Sequence, residues 1–447
     1  MRLLRISITP VRAFTLIFAL IILIGTCVLM TPAAAHGRPL PFIDALFTAA
    51  SAMCVTGLIV VDTGTTFTLF GQAVIIILIQ IGGLGIMAFS TFILLVIGKR
   101  IGISGSYLVQ ESFSESGSLK ITRLIFLIII FTAVMETAGA LLLFMEFSTD
   151  PGVSNPLWSS VFHSISAFCN AGFSLNSDSF CRYRDVVSVN LVITSLIIFG
   201  GIGFPVIQEV LRYMKCRIRS KHTHLNVHAK IVLTVTAVLL IGGTAVLYVS
   251  EPQNHAGANS FLPAYFQSVT ARTAGFNTIR FSDASDATLL LTSLLMFIGG
   301  SSGSTAGGIK TTTLMVIIIL TWSHISGKSR PEFANRTISQ QNTVKALSLL
   351  VLFVIIILIA SFGLMVLHQY DDIPRKFSGA LFEVVSAIGT VGLSTGFTGH
   401  LNTGGKLIII IVMFLGRLGP LAIARVFIHR ENKHGSFRYP EENLMIG

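Results

Sequence analysis

The chain has 447 residues, of which 52% are hydrophobic and 11% are charged, and its formal net charge is +11. Average soluble domains contain about 25% charged residues, so this composition, with a mean hydropathy of +0.80, excludes an ordinary soluble enzyme and predicts an all-α integral membrane protein. The surplus of Lys and Arg does not indicate nucleic-acid binding, which would need a soluble basic domain.

Apolar segments long enough to cross a bilayer recur along the whole chain, since one crossing needs about 20 residues. We predict eight transmembrane helices, and an even number places both termini on the same side of the membrane. In chain order they are Val11–Met30, Ala73–Ile97, Ile121–Phe144, Val189–Leu211, Ile231–Val249, Leu289–Leu320, Val344–Leu367 and Leu407–Ile428.

Lys and Arg residues in the loops indicate which face of the membrane is cytoplasmic. Arg2, Arg5, the loop from Lys99 to Lys120 and the cluster from Lys215 to Lys230 all lie on one face. The opposite face carries fewer basic residues, among them Arg280. We therefore predict that both termini are cytoplasmic, and we attribute the net charge mostly to this bias.

The first span has a competing interpretation as a signal peptide. Arginines precede its apolar core, and the sequence TPAAAHG at 31–37 resembles an Ala-x-Ala cleavage site. The apolar core is long for a signal peptide, however, and its removal would leave seven spans and break the repeat described next. We therefore predict that the segment is a retained first helix.

A turn of small residues recurs four times, and each copy ends in Gly followed by Leu or Phe; the copies align on Gly57, Gly172, Gly275 and Gly392. Ten residues upstream stand Phe47, Phe162, Tyr265 and Phe382, and six residues upstream stand Ser51, Ser166, Val269 and Ser386. Downstream, the next spans contain Gly82-Gly83, Gly200-Gly201, Gly299-Gly300 and Gly416. The chain therefore divides into four units, which we place at residues 1–105, 106–222, 223–330 and 331–447.

Each unit contains a spanning helix, a short apolar helix, the turn and a second spanning helix. Short helices such as Ile43–Cys54 are too brief to span and are typical of re-entrant segments. Non-helical backbone at membrane depth is tolerated only where protein or a water-filled cavity surrounds it. Small residues also serve helix packing alone, but four aligned copies favour four tandem repeats around one pseudo-fourfold pore. In such a pore, backbone carbonyls replace the hydration shell of an ion.

The chain resembles the pore subunits of the Ktr/Trk/HKT potassium transporters, and it is most similar to the bacterial Ktr type. The resemblance covers essentially the whole chain. The motifs that carry it are DALFTAASAMCVTGL at 44–58, QIGGLGIM at 80–87, FHSISAFCNAGFS at 162–174, TARTAGFN at 270–277, GGSSGSTAGGIK at 299–310, GTVGLSTG at 389–396, MFLGRLGPL at 413–421 and the C-terminal RYPEENLMIG.

This resemblance implies potassium uptake across the plasma (inner) membrane, and Gly at all four turns implies potassium in preference to sodium. It implies a homodimer whose protomers each hold a pore, seated on a cytosolic ring of nucleotide-binding regulatory subunits. Uptake is expected to be promoted by sodium. We expect no enzyme activity and no covalently bound cofactor, with nucleotide bound only by the regulatory partner and lipid around the spans.

By the same resemblance, the turns supply the potassium-binding carbonyls: Val55, Thr56, Gly57, Asn170, Ala171, Gly172, Thr273, Ala274, Gly275, Thr390, Val391 and Gly392. A second set forms a flexible gate beneath this filter, with Arg417 bonded to the carbonyls of the loop: Gly299, Gly300, Ser301, Ser302, Gly303, Ser304, Thr305, Gly307, Gly308, Lys310 and Arg417. The loop is not a Walker phosphate loop, because Ile309 separates Gly308 from Lys310. A static helix break and an Arg417 that reaches towards the cytoplasmic surface are the alternatives.

Two further charged residues lie near these segments. We predict that Arg272, which precedes the third turn, is near the outer mouth, and that Glu136 has a buried partner. The alternative functions are an autonomous monovalent cation channel, a secondary transporter of an organic solute, and an intramembrane hydrolase using a loop serine with His163. The parallel fourfold pattern favours a pore over a transporter built from inverted repeats, and the hydrolase needs its base within hydrogen-bond reach of the serine.

Overall fold

The computed structural model describes residues 10–96, 121–220, 223–251, 261–328, 330–333, 336–369, 371, 373 and 375–420. The predictions made for Arg2, Arg5, the loop from Lys99 to Lys120 and the C-terminal motif RYPEENLMIG concern residues outside these ranges.

The described residues form helices almost throughout. The helices are α1 Pro10–Leu29, α2 Phe42–Met53, α3 Thr63–Thr66, α4 Leu69–Val96, α5 Ile121–Phe147, α6 Pro156–Phe168, α7 Val187–Ile202, α8 Phe204–Ile218, α9 Val227–Ser250, α10 Phe261–Thr270, α11 Asp286–Phe297, α12 Thr311–Ile325, α13 Gln340–Leu367, α14 Lys376–Gly389 and α15 Thr403–Leu418. Two 3₁₀ turns, Cys181–Tyr183 and Phe397–His400, and an antiparallel pair of strands, β1 Glu332–Phe333 and β2 Arg336–Thr337, complete them.

Four of the described helices are continuous, long and apolar enough to cross a membrane: Arg12–Leu29, Phe126–Phe147, Val227–Ser250 and Gln340–Leu367. Another predicted span, Val189–Leu211, is divided at Gly203 into α7 and α8, which meet at 96°. Helix α4 bends at Gly85, and the loop 298–310 separates α11 from α12. The count of eight transmembrane helices therefore stays a prediction. Three of the predicted spans are broken rather than straight: Ala73–Ile97, Val189–Leu211 and Leu289–Leu320.

The four short helices α2, α6, α10 and α14 are enclosed by the long ones. Helix α6 begins where Asn155 accepts a hydrogen bond from Trp158 N, with Pro156 in the first turn. An aromatic ring is buried in the middle of each short helix: Phe47, Phe162, Phe266 and Phe382 are 0%, 0%, 1% and 0% exposed. Burial on all sides explains why such short segments are helical at this depth, since isolated helices of this length are marginal.

The first two helices of the described chain meet the last one. Lys406 Nζ on α15 lies 2.5 Å from Asp44 Oδ1 on α2, and both side chains are 17% exposed. Phe18 on α1 packs edge-on against Phe414 on α15, with ring centroids 5.6 Å apart. The four units are thus closed into one body, with the fourth against the first.

Candidate functional site

The four turns share one backbone conformation. Their first residues have left-handed φ angles: Val55 56°, Asn170 59°, Thr273 71° and Thr390 50°. Their third residues also have positive φ: Gly57 90°, Gly172 71°, Gly275 81° and Gly392 94°. A positive φ is costly for β-branched residues and persists only where the surroundings enforce it, most often at functional sites.

The four glycines also lie next to one another in a closed order. A Cβ added to Gly172 would lie 2.8 Å from Gly275 Cα, and one added to Gly275 would lie 3.3 Å from Gly392 Cα. A Cβ on Gly392 would lie 3.0 Å from Gly57 Cα, and one on Gly57 would lie 3.1 Å from Gly172 Cα. Each turn therefore touches the next, and the fourth returns to the first. Glycine is needed at each position for its φ angle and for this close approach.

A hydroxyl near the end of each short helix holds its turn. Ser51 Oγ accepts from Gly57 N at 3.1 Å, and Ser386 Oγ accepts from Gly392 N at 3.0 Å. Ser166 Oγ instead donates to Phe173 O, 2.8 Å away. These bonds explain the serines that recur six residues before the glycines, because they fix the backbone that follows each helix.

The third repeat departs from the sequence alignment by one residue. Counting back from Gly275 selects Tyr265 and Val269, but Phe266 is the buried ring, and Thr270 Oγ1 donates to Phe276 O at 2.6 Å. One residue fewer therefore lies between the hydroxyl and the glycine in this repeat. Sequence reasoning missed both residues, although an alignment that allowed a one-residue gap would have found them.

The glycines downstream of the turns let the second helix of a repeat approach the end of the short helix. A Cβ on Gly82 would overlap Met53 O, and one on Gly200 would overlap Phe168 O. Gly416 stands in the same relation to Ile388 O. These recurring glycines thus bring α4, α7 and α15 directly against the backbone below three of the turns.

The loop between α11 and α12 is folded on itself and docked on the second repeat. Gly299 N donates to Ile309 O at 2.9 Å, which closes the base of the loop. Ser301 N donates to Gly201 O at 3.0 Å, and Thr305 Oγ1 donates to Gly200 O, also at 3.0 Å. The break between α7 and α8 frees these carbonyls from helical hydrogen bonds, and the loop satisfies them.

The loop residues predicted to form the gate are brought together here, in hydrogen bonds among themselves and with their neighbours. Ser304 Oγ donates to Ser301 O at 2.7 Å, and Ser302 Oγ lies 3.2 Å from Thr312 Oγ1. Lys310 Nζ donates to Ala306 O at 2.6 Å. Gly303 and Gly308 have φ angles of 75° and 67°. Lys310 therefore binds a carbonyl of its own loop.

Arg417 joins this loop to two other repeats. Its Nη1 donates to Thr305 O at 2.5 Å, and its Nη2 donates to Gly82 O. The guanidinium group thus links the fourth repeat to the third and to the first. This geometry corresponds to an interior arginine bonded to one carbonyl of the loop and one of α4, and not to an arginine that extends to the surface.

The other two charged residues have partners in the protein interior. Arg272 is 8% exposed, and its Nη2 lies 3.5 Å from Gly299 O, so it is beside the loop and not at an outer mouth. Gln80 Nε2 donates to both carboxylate oxygens of Glu136, at 3.0 and 2.9 Å. The hydrogen bonds of Glu136 bridge the first and second repeats.

Apolar helices of membrane-spanning length, broken spans and enclosed non-helical turns are typical of membrane transport proteins. Comparison with known proteins gives the family. The chain matches the TrkH cation transport protein family over residues 5–437. This chain belongs to that family of cation transport proteins.

Relatives match over nearly their whole length. The Ktr system potassium uptake protein B of Bacillus subtilis is 41% identical over 445 residues, covering 99% of this chain and 98% of that protein. The potassium/sodium uptake protein NtpJ of Enterococcus hirae is 37% identical over 453 residues, with the same coverage of 99% and 98%. The crystal structure of the potassium transporter TrkH from Vibrio parahaemolyticus superposes with a TM-score of 0.74 at 18% identity, covering 96% of this chain and 87% of that one, and thus has the same fold.

Proposed function

We propose that this chain is a potassium uptake protein whose four turns form a selectivity filter around one pseudo-fourfold pore. The observation that carries the proposal is the closed succession of four glycines, each ending a turn of the same left-handed conformation. Its relatives in Bacillus subtilis and Enterococcus hirae are named as potassium uptake and potassium/sodium uptake proteins, which supports potassium as the ion.

The ligands in this proposal are backbone carbonyl oxygens. The side chains of the turns are enclosed by protein: Val55 and Asn170 are 1% exposed, and Thr56, Thr273 and Thr390 are 0% exposed. In this proposal the side chains are directed into the protein, and the carbonyls are the polar groups left to face the axis. Carbonyl oxygens compensate the lost hydration of a potassium ion without introducing a charge that would hold it too tightly.

The loop from Gly299 to Lys310 acts as the gate in this proposal, with Arg417 as its latch. The two hydrogen bonds of Arg417 support a closed arrangement, because they fix Thr305 against α4 and place a positive charge below the turns. A cation approaching a fixed guanidinium group meets an electrostatic barrier. Opening then requires the loop to move and Arg417 to exchange its partners.

The proposal also covers the location, topology and partners of the protein. The protein lies in the plasma (inner) membrane with both termini cytoplasmic, and it forms a homodimer on a cytosolic ring of nucleotide-binding regulatory subunits. Basic residues from Lys215 to Lys230 offer one docking surface, since Arg217 and Arg219 end α8 with exposed side chains. Uptake is promoted by sodium, a feature that the potassium/sodium name of the Enterococcus hirae relative supports.

The test is growth on low potassium of cells that lack their own uptake systems, with the chain expressed with and without a Ktr-type regulatory subunit. Gly172→Ser is the informative variant, because its Cβ would lie 2.7 Å from Ala274 O. Gly242→Ser is the matched control, because a Cβ at Gly242 has no atom within 4 Å.

We expect the wild type and Gly242→Ser to support growth, and Gly172→Ser to lose it while reaching the membrane in equal amount. Growth only with the regulatory subunit supports a gated complex, whereas growth without it indicates an autonomous channel. If wild-type chain in the membrane never moves potassium with any partner, the proposed function is wrong.

A further inference from the structure

A buried polar side chain follows the central aromatic ring of every short helix. These residues are Thr48, His163, Gln267 and Glu383, which are 2%, 0%, 1% and 0% exposed. Each stands three residues before the hydroxyl that holds the turn, so both side chains lie on the same face of the helix. Burying a polar side chain is costly unless it is hydrogen-bonded, so the partners of these residues indicate what they do.

Glu383 holds the segment that leaves the fourth turn. Its carboxylate accepts from Ser394 Oγ, from Thr395 N at 3.1 Å and from Thr398 Oγ1 at 2.7 Å. Ser394 and Thr395 are the second and third residues after Gly392. One side chain thus fixes both the backbone and the hydroxyls of the outgoing segment.

His163 does the same in the second repeat through a neutral ring. Leu175 N donates to His163 Nε2 at 3.2 Å, so this nitrogen carries no proton, and Nδ1 donates to Ser159 O at 2.7 Å. Ser174 Oγ also donates to Nε2, at 3.1 Å. Ser174 and Leu175 are the second and third residues after Gly172, which matches the positions held by Glu383.

The other two repeats differ in how far their side chain reaches. Gln267 Nε2 donates to Thr278 Oγ1 at 3.2 Å, three residues after Gly275. Thr48 is too short to reach its outgoing segment, and its Oγ1 donates within its own helix to Asp44 O at 2.9 Å. The first turn therefore lacks the contact that the other three have at this position.

We infer that His163, Gln267 and Glu383 are positioning residues for the filter, each fixing the outgoing segment of its turn and thereby the width of the carbonyl ring. This inference rests on the proposed function. The second, third and fourth turns are then each held from both ends, by the hydroxyl at the short helix and by the polar side chain one helical turn earlier. A ring fixed in this way cannot contract around a sodium ion, which is smaller than potassium, so these contacts favour potassium. The first repeat supplies the one turn that can adjust.

The experiment compares initial uptake of radioactive rubidium, as a potassium analogue, with that of radioactive sodium in cells expressing the full chain with its regulatory subunit. The variants are Glu383→Leu and Gln267→Leu, and the amount of each protein in the membrane is measured by immunoblot. Glu383→Gln is the conservative variant, because its amide oxygen can still accept from Thr395 N. Thr48→Val is the matched control at the same helix position in the first repeat.

We expect the ratio of sodium to rubidium uptake to rise about tenfold in Glu383→Leu and about threefold in Gln267→Leu, since more hydrogen bonds are lost in the first. Thr48→Val and Glu383→Gln should stay within about twofold of the wild type, because Thr48 contacts no outgoing segment and Gln at position 383 can still accept from Thr395 N. If Glu383→Leu does not reach the membrane, Gln267→Leu decides, since it removes a single hydrogen bond.

The inference is overturned if both leucine variants keep the wild-type ratio, whether or not their total uptake falls. A fall in the uptake of both ions together is the signature of a merely structural role. Failure of the proposed function looks different, because the wild-type protein would then carry no rubidium in any arm of the experiment.

Discussion

Arg417 gives the sharpest test of the proposed gate, because one side chain holds the loop in place through two charge-assisted hydrogen bonds. Its acceptors, Thr305 O and Gly82 O, belong to the third and first repeats. Arg417→Met keeps much of the apolar stem and removes both bonds together with the positive charge. We expect the loop to leave its closed position and basal uptake to rise.

The size of the effect follows from the number of bonds lost. A hydrogen bond to a charged group contributes about 1.5 kcal/mol at the lower end of its range, so losing two shifts the loop equilibrium by about 3 kcal/mol. That corresponds to a change of about 150-fold in the ratio of open to closed loop, which is a ceiling for the rise in uptake. Arg417→Lys keeps one charged donor and should give an intermediate rise.

The assay is rubidium uptake per molecule in the membrane, in cells that lack both their own uptake systems and the regulatory subunit. Arg182→Met is the control, since Arg182 makes a surface ion pair with Asp150, away from the loop. Uptake by Arg417→Met that equals the wild type, at equal protein in the membrane, would refute the assignment of Arg417 as a latch. An equal rise in uptake in Arg182→Met would show that the effect is not specific to Arg417.

Three further outcomes are expected. The hydrogen bonds from Gly152 N and the hydroxyl of Tyr183 hold the pKa of Asp150 below its ordinary value of 3.8. A lowered pKa means that ionised Asp150 stabilises the folded protein above the ordinary pKa, and that this stabilisation is lost as the pH falls through the lowered pKa. Thermal unfolding in detergent should therefore show a loss of stability below about pH 4 that Asp150→Asn lacks. Identical acid profiles of the two proteins would contradict this. Lys406→Met leaves Asp44 without its partner and should lower the free energy of unfolding by about 3 kcal/mol. The double variant Lys406→Met with Asp44→Asn should lose less, because no unpaired carboxylate remains. Calorimetry in detergent measures the stability of both variants, and equal losses would contradict a coupled pair. Gly399→Cys, in a chain whose five native cysteines are replaced, should react with an impermeant maleimide added outside intact cells, because a side chain there has no atom within 4 Å of its Cβ; labelling only after lysis would reverse the predicted orientation.

The sequence was informative where glycine was the signal. The four turns and the loop at 299–310 could be located because glycine recurs where the backbone needs positive φ or close approach. The left-handed angles of Val55, Thr273 and Thr390 could not be predicted, because β-branched residues disfavour that region. These angles are imposed by the packing around each turn, which the sequence shows only indirectly.

The sequence did not reveal contacts between residues far apart in the chain, nor the one-residue shift in the third repeat. The resemblance implied that Arg417 bonds the loop, but its second acceptor, Gly82 O, is 335 residues away in the chain and had no signal. The roles of Phe266 and Thr270 were hidden by a one-residue offset that a gapless alignment cannot represent. The sequence suggests His163 only as a catalytic base, because its contact with Leu175 N forms only once the outgoing segment has folded back.

In the proposed pore, covalent linkage of four unequal repeats accounts for a single gate. Four identical subunits would supply four loops and four arginines, whereas here one loop in the third repeat meets one Arg417 from the fourth. The turns also differ from one another. In three repeats a buried polar side chain of the short helix bonds the outgoing segment, whereas in the first repeat Thr48 bonds within its own helix. Gly82 O, the second acceptor of Arg417, also belongs to the first repeat, and a Cβ at Gly82 would lie 2.9 Å from Val55 Cγ2 in its turn. In the proposed mechanism, movement of Arg417 therefore acts first on the turn of the first repeat, which lacks the contact that the other three turns make with their outgoing segments.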